Sequence, residues 1–358
     1  MQNKSNKKVV VALSGGVDSS VVALLLKQQG YDVIGLHMSD PDNASAEADR
    51  QIVQELCEKL GIPCFIEEFT NQMQAVKDYF IAEYKAGRTP NPCVMCNREV
   101  KFKPFIDFAK KMNADFFATG HYAIIEREGG NVRLKKAKDA NKDQSYFLNQ
   151  LSLEQLEMAM FPLGELDKSD VRKIAEENGL CTAHKKDSFD VCFVGSKKFK
   201  DFMQENYPES AGNIVDIKTG KVVGKHTGIS KYTIGQRRGL GVGGTSGGSG
   251  DGWFVVDKDI KKNEVFVSQG EGEELLSSGL VATNVNWLCA KPQDKLECYA
   301  KFRYRQADEP VCVLMQKNNQ IKVIFNKKQR AITLGQYVVL YDEQGYCLGG
   351  ATINQIIK

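Results

Sequence analysis

The sequence predicts an α/β domain with a parallel sheet and helices on both faces, followed by a small mixed central domain and a C-terminal β-barrel. In the first half, short apolar segments alternate with amphipathic ones, which is the pattern of βαβ units. From about residue 210 short strands and glycine-rich turns dominate, and beyond about residue 278 strands recur at the spacing of a small barrel. At 358 residues the chain exceeds one ordinary core, so its length predicts two or three domains. With the two changes of pattern we expect three, at 1–207, 208–277 and 278–358.

The elements of the first domain follow from apolar periodicity and from stop signals. The first strand is KKVVVAL, and the helix in DSSVVALLLKQQG ends at Gly30. The next predicted elements are the strand DVIGLHM, the helix AEADRQIVQELCEKLG, the strand IPCFIEEF, helices near 72–86 and 104–112, a strand within DFFATGHYA, and a hairpin turned at Gly129-Gly130. The helix KSDVRKIAEENG is predicted to take Ser169 as its N-cap and Gly179 as its stop.

Two basic stretches in the second half are candidates for contact with nucleic acid. FRYRQ is predicted to be a strand that places Arg303 and Arg305 on one face and Tyr304 on the other. Arg237 and Arg238 lie in the glycine-rich loop GQRRGLG, which suits close approach to an RNA phosphate. The alternative to RNA contact is an ordinary solvent-exposed strand at FRYRQ and an ordinary solvent-exposed basic turn at GQRRGLG, and both alternatives stay open.

The composition excludes several classes of protein. With 42% hydrophobic and 26% charged residues the chain is typical of a soluble globular protein. No apolar run approaches the roughly 18 residues of a membrane span, and the five-residue run after the basic N-terminus is too short for a signal peptide. We therefore expect a cytoplasmic protein with no membrane partner, whose ten cysteines are mostly reduced. A net charge of +3 means that any RNA contact must come from local basic patches.

The segment VVVALSGGVDSS places a glycine-rich loop between the first strand and the first helix. The start of a helix favours an anion, and Gly15 and Gly16 let the backbone approach a phosphate. Ser14 and Ser19 add hydroxyl donors, and Asp18 is suited to hold a metal ion or to orient the loop. The Walker loop is excluded because no Lys follows the glycines, and GxGxxG is absent. A strand–helix turn without a ligand is the alternative.

The stretch NPCVMCNREVKF contains a CxxC pair, Cys93 and Cys96. Such a pair can be half of a zinc site, a dithiol redox couple, a set of cluster ligands, or one working cysteine with a neighbour. Structural zinc is disfavoured because a closed site needs four ligands and the chain has no second CxxC. Cys192, in DVCFVG, is taken from its local sequence alone to be a buried strand cysteine.

The glycine-rich loop resembles the PP-loop of ATP pyrophosphatases, in which ATP adenylates a substrate oxygen and releases pyrophosphate. Across the whole chain the sequence resembles the bacterial and organellar tRNA-uridine 2-sulfurtransferases, the MnmA/TrmU family. The stretches that carry this resemblance, in family order, are GRTPNPCVMCNREVKF, ATGHY, NKDQSYFL, KKDSFDVCFVG, YTIGQRRGLGVGG and FRYRQ. The resemblance implies a catalytic PP-loop domain at 1–207, a central tRNA-binding domain at 208–277 and a C-terminal barrel.

The resemblance implies a reaction at the wobble uridine of tRNA, U34. ATP with Mg²⁺ adenylates the C2 oxygen, and sulfur from a persulfide on Cys192 then replaces AMP, giving 2-thiouridine. Cys96 attacks the persulfide to free the sulfur, which leaves a transient Cys96–Cys192 disulfide. A cysteine desulfurase or a sulfur relay protein is the implied sulfur donor.

The resemblance also implies a set of binding residues. Those expected to bind ATP are Ala12, Leu13, Ser14, Gly15, Gly16, Val17, Asp18, Ser19, Met38 and Gly120. Those expected at the target base are Asn91, Pro92 and Cys93. Those expected to contact the rest of the tRNA are His121, Lys142, Asp143, Gln144, Arg303, Tyr304 and Gln336.

The sequence departs from the family pattern at two places. Some members have Asp where this chain has Cys93, and many have Ser-Thr-Gly where it has Ser188-Phe189-Asp190. The negative charge of Asp190 opposes thiolate formation at Cys192, two residues away.

Three alternatives to the thiolation reaction by persulfide stay open. One is another PP-loop enzyme, such as a small-molecule ligase, and a second is an RNA-binding protein without catalysis. The third keeps the thiolation but carries the sulfur on an iron–sulfur cluster ligated by Cys93, Cys96 and Cys192. The persulfide route is preferred on the number of ligands.

Overall fold

The computed structural model describes residues 7–40, 46–186, 191–194, 199–242 and 251–358. The helices are α1 (Val17–Gln28), α2 (Ala46–Leu60), α3 (Thr70–Lys85), α4 (Pro92–Met95), α5 (Lys103–Lys111), α6 (Leu153–Met158), α7 (Lys168–Glu177) and α8 (Phe199–Asn206). A π-helix joins α4 to α5 over Cys96–Phe102. Short 3₁₀ helices span Ser145–Leu148, Cys192–Val194, Ile229–Lys231 and Glu273–Leu275.

The strands divide among a parallel sheet, a hairpin, a second sheet and a barrel. In the first half they are β1 (Lys8–Ala12), β2 (Asp32–Ser39), β3 (Cys64–Glu68), β4 (Phe116–Ala118), β5 (Ala123–Glu128), β6 (Asn131–Lys136) and β7 (Ala159–Met160). In the second half they are β8 (Gly212–Asp216), β9 (Val222–His226), β10 (Trp253–Asp259), β11 (Glu264–Gln269), β12 (Leu276–Trp287), β13 (Lys295–Lys301), β14 (Glu309–Gln316), β15 (Gln320–Arg330), β16 (Tyr337–Tyr341) and β17 (Cys347–Ile357).

The first-half sheet has the strand order β3-β2-β1-β4-β7, and its paired strands are parallel. Its central strand β1 is apolar, and successive side chains point into two different cores. Val9 and Val11 pack with buried residues of α1, α2 and α7, whereas Val10 packs with those of α5. The predicted parallel sheet with helices on both faces is therefore confirmed. The carboxyl ends of β1, β2 and β4 share one edge, where α/β sheets bind their ligands.

The predicted elements of the first half are confirmed apart from one helix start. Helices α3 and α5 cover the two regions predicted near 72–86 and 104–112, and β5 and β6 form the predicted hairpin. The predicted N-cap at Ser169 is wrong, because α7 begins at Lys168 and its N-cap is Asp167. The Lys168 amide donates to Asp139 Oδ2 at 3.1 Å, so a residue distant in sequence satisfies the first helical N–H.

The second half is built from β-structure, as predicted. Strands β10, β11, β8 and β9 form one sheet, and β12 to β17 close a six-stranded antiparallel barrel around an apolar core. The predicted strand through FRYRQ is wrong: β13 ends at Lys301, and Arg303 and Tyr304 lie in a turn. The turn forms because Gln306 accepts from the Phe302 amide through its side chain and donates to the Arg303 carbonyl through its own amide. Among the described residues, no helix combines the length and apolarity needed to cross a membrane.

Candidate active site

The glycine-rich loop lies at the carboxyl edge of the sheet, between β1 and α1. The Leu13 amide donates to the Leu36 carbonyl at 2.8 Å, and His37 Nδ1 donates to the Leu13 carbonyl at 2.8 Å. Gly15 has φ +72°, and a Cβ there would lie 3.2 Å from Asp49 Oδ1. Both facts favour glycine, since an L-residue is strained at this φ and would also press on α2. Hydrogen bonds to β2 on one side and close contact with α2 on the other therefore fix the shape of the loop.

Serine side chains shape the interior of the loop. Ser19 Oγ accepts from the Ser14 amide at 3.2 Å and donates to the Gly16 carbonyl at 3.1 Å. Ser20, which the sequence analysis did not single out, donates to the same carbonyl at 2.9 Å. Ser19 and Ser20 are buried, whereas Ser14 is exposed. Ser14 Oγ lies at the exposed surface of the loop, 3.2 Å from Ser19 Oγ, while the two buried serines hold the backbone in shape.

Asp18 lies in the first turn of α1 and is bound by two side chains from elsewhere in the chain. Tyr122 Oη donates to Asp18 Oδ1 at 2.9 Å, and Lys168 Nζ donates to the same oxygen at 2.6 Å. Gly120 lets this arrangement close, because a Cβ there would lie 3.1 Å from the Ser19 amide nitrogen. Tyr122 and Lys168 were both missed in the sequence. The position of Lys168 at the start of a predicted helix was the available signal.

A second lysine binds the loop from the other side. Lys185 Nζ donates to the Gly15 carbonyl at 3.1 Å and to Asp49 Oδ1 at 2.6 Å. Arg172, one turn after Lys168 on α7, donates through Nη1 to the carbonyls of Ala183 and Lys185 at 3.1 and 3.2 Å. One face of α7 therefore contacts both the glycine-rich loop and the segment that leads toward Cys192.

The CxxC pair lies on a helix that changes its winding between the two cysteines. Pro92 starts α4, and the chain switches to π-helical hydrogen bonding at Cys96. Such π segments recur at functional sites. Cys93 is exposed, whereas Cys96 is 5% exposed in an apolar cluster with Met73 and Val76. The two cysteines therefore have different environments, Cys93 open to solvent and Cys96 packed among apolar side chains.

The backbone of Cys192 lies in a 3₁₀ turn rather than in a strand, which corrects the strand expected from its local sequence. The turn lies close to Cys96, because the Phe193 side chain packs against the apolar cluster that contains Cys96. The Phe193 ring also meets the Phe80 ring of α3 at 5.2 Å. Fold topology thus brings together two segments that are distant in sequence. Ser188-Phe189-Asp190 and the Cys192 side chain lie outside the described residues.

Met38 connects the cysteine segments with the nucleotide edge. It lies near the end of β2, next to the glycine-rich loop, and packs against both the main core and the cluster around Cys96. Among the described side chains, no group of three or more His, Cys, Asp or Glu residues is placed to hold a metal ion.

His121 has a ring packed between the rings of Phe102 and Phe161, at 5.9 Å from each. Burial and, to a smaller extent, the charge of Lys101 lower the pKa of His121 to about 3. Thr119 Oγ1 lies 2.7 Å from its Nδ1. His121 is therefore a neutral imidazole at physiological pH and can give or accept a hydrogen bond without carrying charge.

Several residues that the resemblance assigns to tRNA make contacts within the protein. Asp143 is buried and accepts from the amides of Ala137 and Ser145 at 3.1 and 3.2 Å. Gln144 Oε1 accepts from the Tyr122 amide at 3.0 Å, whereas Lys142 is partly exposed. These contacts hold the segment before the 3₁₀ helix Ser145–Leu148 against the catalytic edge.

The barrel residues in that set also bind neighbouring backbone. Arg303 Nη2 donates to the Ile234 carbonyl at 3.1 Å and to Thr333 Oγ1 at 2.8 Å, and burial lowers its pKa. Gln336 Nε2 donates to the carbonyls of Thr89 and Pro90, at 2.8 and 3.2 Å. Asn91, the next residue, is partly exposed at the start of α4.

The sheet, the glycine-rich loop and the two lysines that bind it, Lys168 and Lys185, define the class of protein: an ATP-utilising enzyme of the PP-loop type. Family models described as "tRNA methyl transferase HUP domain", "tRNA methyl transferase PRC-barrel domain" and "Aminomethyltransferase beta-barrel domain" match residues 7–196, 200–269 and 277–353.

Curated relatives then identify the family. A tRNA-specific 2-thiouridylase MnmA of Alkaliphilus oremlandii is 51% identical over 361 residues, covering 98% of each chain. The protein of that name from Streptococcus agalactiae is 51% identical over 368 residues, covering 100% of this chain and 98% of the relative. The chain belongs to the tRNA-specific 2-thiouridylase family, as its motifs predicted.

Among solved structures, a U34-tRNA thiolase from Methanococcus maripaludis with its 4Fe–4S cluster overlaps at a TM-score of 0.38 and 21% identity. The overlap covers 57% of this chain and 68% of that one. It is too distant to bear on function.

Proposed function

We propose that the protein is an ATP-dependent tRNA-uridine 2-sulfurtransferase that converts the wobble uridine, U34, to 2-thiouridine. Family membership over the full chain supports this function. The observation that carries the mechanism is the contact of Phe193 with the cluster around Cys96, since it joins the two cysteine segments at the nucleotide edge of the sheet. At the same edge, the exposed side chain of Ser14 and the half-buried side chain of Met38 are accessible to a ligand.

The first step is activation of the uridine. The C2 oxygen attacks the α-phosphate of ATP, pyrophosphate leaves, and C2 then carries AMP as a leaving group. The triphosphate would lie on the loop from Ala12 to Ser19, with Met38 near the adenine and Gly120 beneath the loop. Lys168 and Lys185 flank the loop and would neutralise phosphate charge. Mg²⁺ prefers oxygen ligands, which Asp18 offers beside the loop, and when bound would neutralise further phosphate charge.

The second step is sulfur transfer. The terminal sulfur of a Cys192 persulfide attacks C2 and AMP leaves, which links C2 to Cys192 through two sulfur atoms. The Cys96 thiolate then attacks the Cys192 sulfur, the S–S bond to the uridine breaks, and a Cys96–Cys192 disulfide forms. The transferred sulfur is reduced as the cysteine pair is oxidised, so the electrons balance. A thiol reductant resets the pair, and a cysteine desulfurase or sulfur relay protein supplies the next persulfide.

Apart from Gln336, the remaining predicted residues are proposed to bind the tRNA. Asn91, Pro92 and Cys93 lie where α4 begins, beside Cys96, which is a suitable place for the target base. Neutral His121 follows Gly120, which lies against Asp18 and Ser19, and partly exposed Lys142 comes two residues before Gln144, which accepts from the Tyr122 amide. The domain division at 1–207, 208–277 and 278–358 is retained, with the central domain and barrel holding the body of the tRNA.

The decisive experiment incubates the protein with total tRNA, ATP, Mg²⁺ and a sulfur source, and measures 2-thiouridine by mass spectrometry. We expect thiouridine in wild type and none in Asp18→Ala. Pyrophosphate exchange that proceeds without tRNA would instead indicate a small-molecule ligase. Binding of tRNA without ATP consumption, unaffected by Asp18→Ala, would indicate an RNA-binding protein.

The iron–sulfur alternative has its own test. We expect the protein purified without oxygen to be colourless and free of iron, and still to thiolate tRNA. Loss of all activity on removal of iron would show that the sulfur is carried on a cluster at Cys93, Cys96 and Cys192.

A further inference from the structure

A loop of the C-terminal barrel binds the chain just before the CxxC pair. The Thr89 amide donates to the Leu334 carbonyl at 2.8 Å, and Gln336 Nε2 donates to the Thr89 and Pro90 carbonyls at 2.8 and 3.2 Å. Three hydrogen bonds therefore join this loop to the two residues that precede Asn91. Since α4 begins at Pro92, these bonds hold the chain directly before the helix that carries Cys93.

The backbone of the barrel loop lies directly against Arg88 and Thr89. Gly335 has φ +85°, and a Cβ there would lie 3.0 Å from Arg88 Cβ and 3.1 Å from the Thr89 carbonyl oxygen. The Gly335 amide donates to the Ile353 carbonyl at 3.0 Å, which anchors the loop to β17. The Ile353 amide returns a bond of 2.8 Å to the Gln336 carbonyl. The barrel thus holds the Gln336 backbone firmly, and the amide side chain is presented from a fixed position.

The other side of the contact is also held. Arg88 Nε donates to Glu83 Oε2 at 2.7 Å, and the Arg88 amide donates to the Glu83 carbonyl at 2.9 Å. Tyr79, on the same helix α3, shares a side-chain hydrogen bond with Tyr337, and burial raises the pKa of both phenols. The segment from Arg88 to Pro90 is therefore hydrogen-bonded to α3 on one side and to the barrel on the other.

A second set of contacts holds the residue after Cys96. Asn97 is 2% exposed, and its Nδ2 donates to the Phe147 carbonyl at 3.2 Å. The Phe147 ring lies 4.4 Å from the ring of Tyr304, in the turn after β13. The barrel thus reaches the helix of the two cysteines from both ends, directly before it and through Phe147 after it.

We propose that Gln336 is a positioning residue for the cysteine helix, and that the barrel loop sets the place of Cys93 and Cys96 before any tRNA is bound. Gln336 acts through Thr89 and Pro90. The inference deepens the proposed thiolation and uses it for the activity assay. Attack at C2 requires the reacting atoms within about 0.5–1 Å of their best geometry, so a small shift of α4 slows the transfer strongly.

The test compares Gln336→Ala and Gln336→Glu with wild type. Alanine removes the donor, and glutamate keeps the length while placing a carboxylate against two carbonyl oxygens. At saturating tRNA and ATP, we expect single-turnover thiolation to fall about ten- to a hundred-fold in both variants. The Kd for tRNA should stay within about two-fold. The control is Gln355→Ala, which removes an exposed glutamine on another part of the barrel and should match wild type.

A readout without tRNA separates positioning from contact. The rate of alkylation of exposed Cys93 by iodoacetamide and hydrogen exchange at the Thr89 amide should both rise in Gln336→Ala. They should not rise in Gln355→Ala. These two measurements need no activity, so they still test the positioning role if wild type makes no thiouridine and the proposed function fails.

Two results would overturn the proposal. A Kd for tRNA weakened ten-fold or more in Gln336→Ala, with the saturated thiolation rate unchanged, would make Gln336 a tRNA contact instead. Alkylation and hydrogen exchange identical to wild type would show that the barrel loop does not set the position of the cysteine helix.

Discussion

The two cysteine segments are held in different ways. Cys96 lies in a continuous helical stretch from α4 through the π-helix to α5, buried in an apolar cluster and held by the barrel at both ends. Cys192 lies in a three-residue 3₁₀ turn whose described apolar contacts come through Phe193 and Val194. The chain that leads to this turn is bound to the glycine-rich loop through Lys185.

The two cysteine segments are thus held by different parts of the protein. The position of Cys96 depends on the barrel, and therefore on the part of the protein that lies furthest along the chain. The segment of Cys192 is connected with the loop expected to bind ATP. In the proposed reaction, nucleotide binding and sulfur delivery are thus linked on one side, and the target base and the barrel on the other.

The largest expected effect comes from removing the Cys96 thiol. Cys96→Ser should reduce thiouridine formation by about a thousand-fold or more, because a hydroxyl does not cleave an S–S bond at neutral pH. Pyrophosphate release that depends on tRNA should persist, since activation precedes sulfur transfer. Mass spectrometry of the tRNA and a pyrophosphate assay measure the two steps, and Cys181→Ser, at an exposed cysteine, is the control. Retention of a tenth of the activity by Cys96→Ser would exclude the assigned role.

Removal of a cation beside the nucleotide loop should have the next largest effect. Lys168→Met takes away a charge-assisted hydrogen bond to Asp18, at 2.6 Å, and positive charge close to the expected phosphates. We expect the KM for ATP to rise by about ten- to a hundred-fold, in line with the strength of such bonds. Lys138→Met changes an exposed lysine that pairs with Asp167 and should leave the KM within about two-fold. An unchanged KM in Lys168→Met would place the phosphates elsewhere.

A third variant acts on the connection between the loop and the Cys192 segment. Arg172→Gln removes the two hydrogen bonds from α7 to the Ala183 and Lys185 carbonyls. We expect about a ten-fold slower sulfur transfer with the KM for ATP within about three-fold, because two hydrogen bonds of ordinary strength are lost away from the phosphates. Lys173→Gln, the next residue on the exposed side of α7, is the matched control. Equal losses in pyrophosphate release and thiolation would show that the contact serves the loop alone.

The smallest expected effect is on the pH dependence of stability and concerns His121, which packs against Phe102 at the end of the π-helix. Its folded-state pKa of about 3 lies below the ordinary 6.5, so protonation favours the unfolded chain. The stability from the neutral imidazole is complete above about pH 6.5 and is lost as the pH falls toward 3, with about 2 kcal/mol gone at pH 5. Urea unfolding at pH 7 and pH 5 should show a smaller pH dependence in His121→Gln than in wild type. His184→Gln, at an exposed histidine, should keep the wild-type dependence.

Local patterns were sufficient for most of the fold. The apolar run of β1 and the amphipathic pattern of α2 have one favourable solution each, so these strands and helices followed from the sequence, whereas the strand order of the sheet was not predicted. The errors arose where a distant residue decides a local structure. Asp139 moves the start of α7 to Lys168, and Gln306 turns the chain at Arg303. Neither interaction is visible in the residues next to the element it changes.

Short motifs were enough to identify the family and the glycine-rich loop and to propose roles for the two cysteines, because such motifs carry the chemistry of each. Only the tertiary structure decided their surroundings: Lys168 and Tyr122 on Asp18, and Gln336 on the segment before Cys93. These pairs are separated by 104 to 247 residues, and a hydrogen bond across that distance has no local signature. It forms because the sheet, α7 and the barrel bury their apolar faces together, which brings the polar groups at their edges within reach.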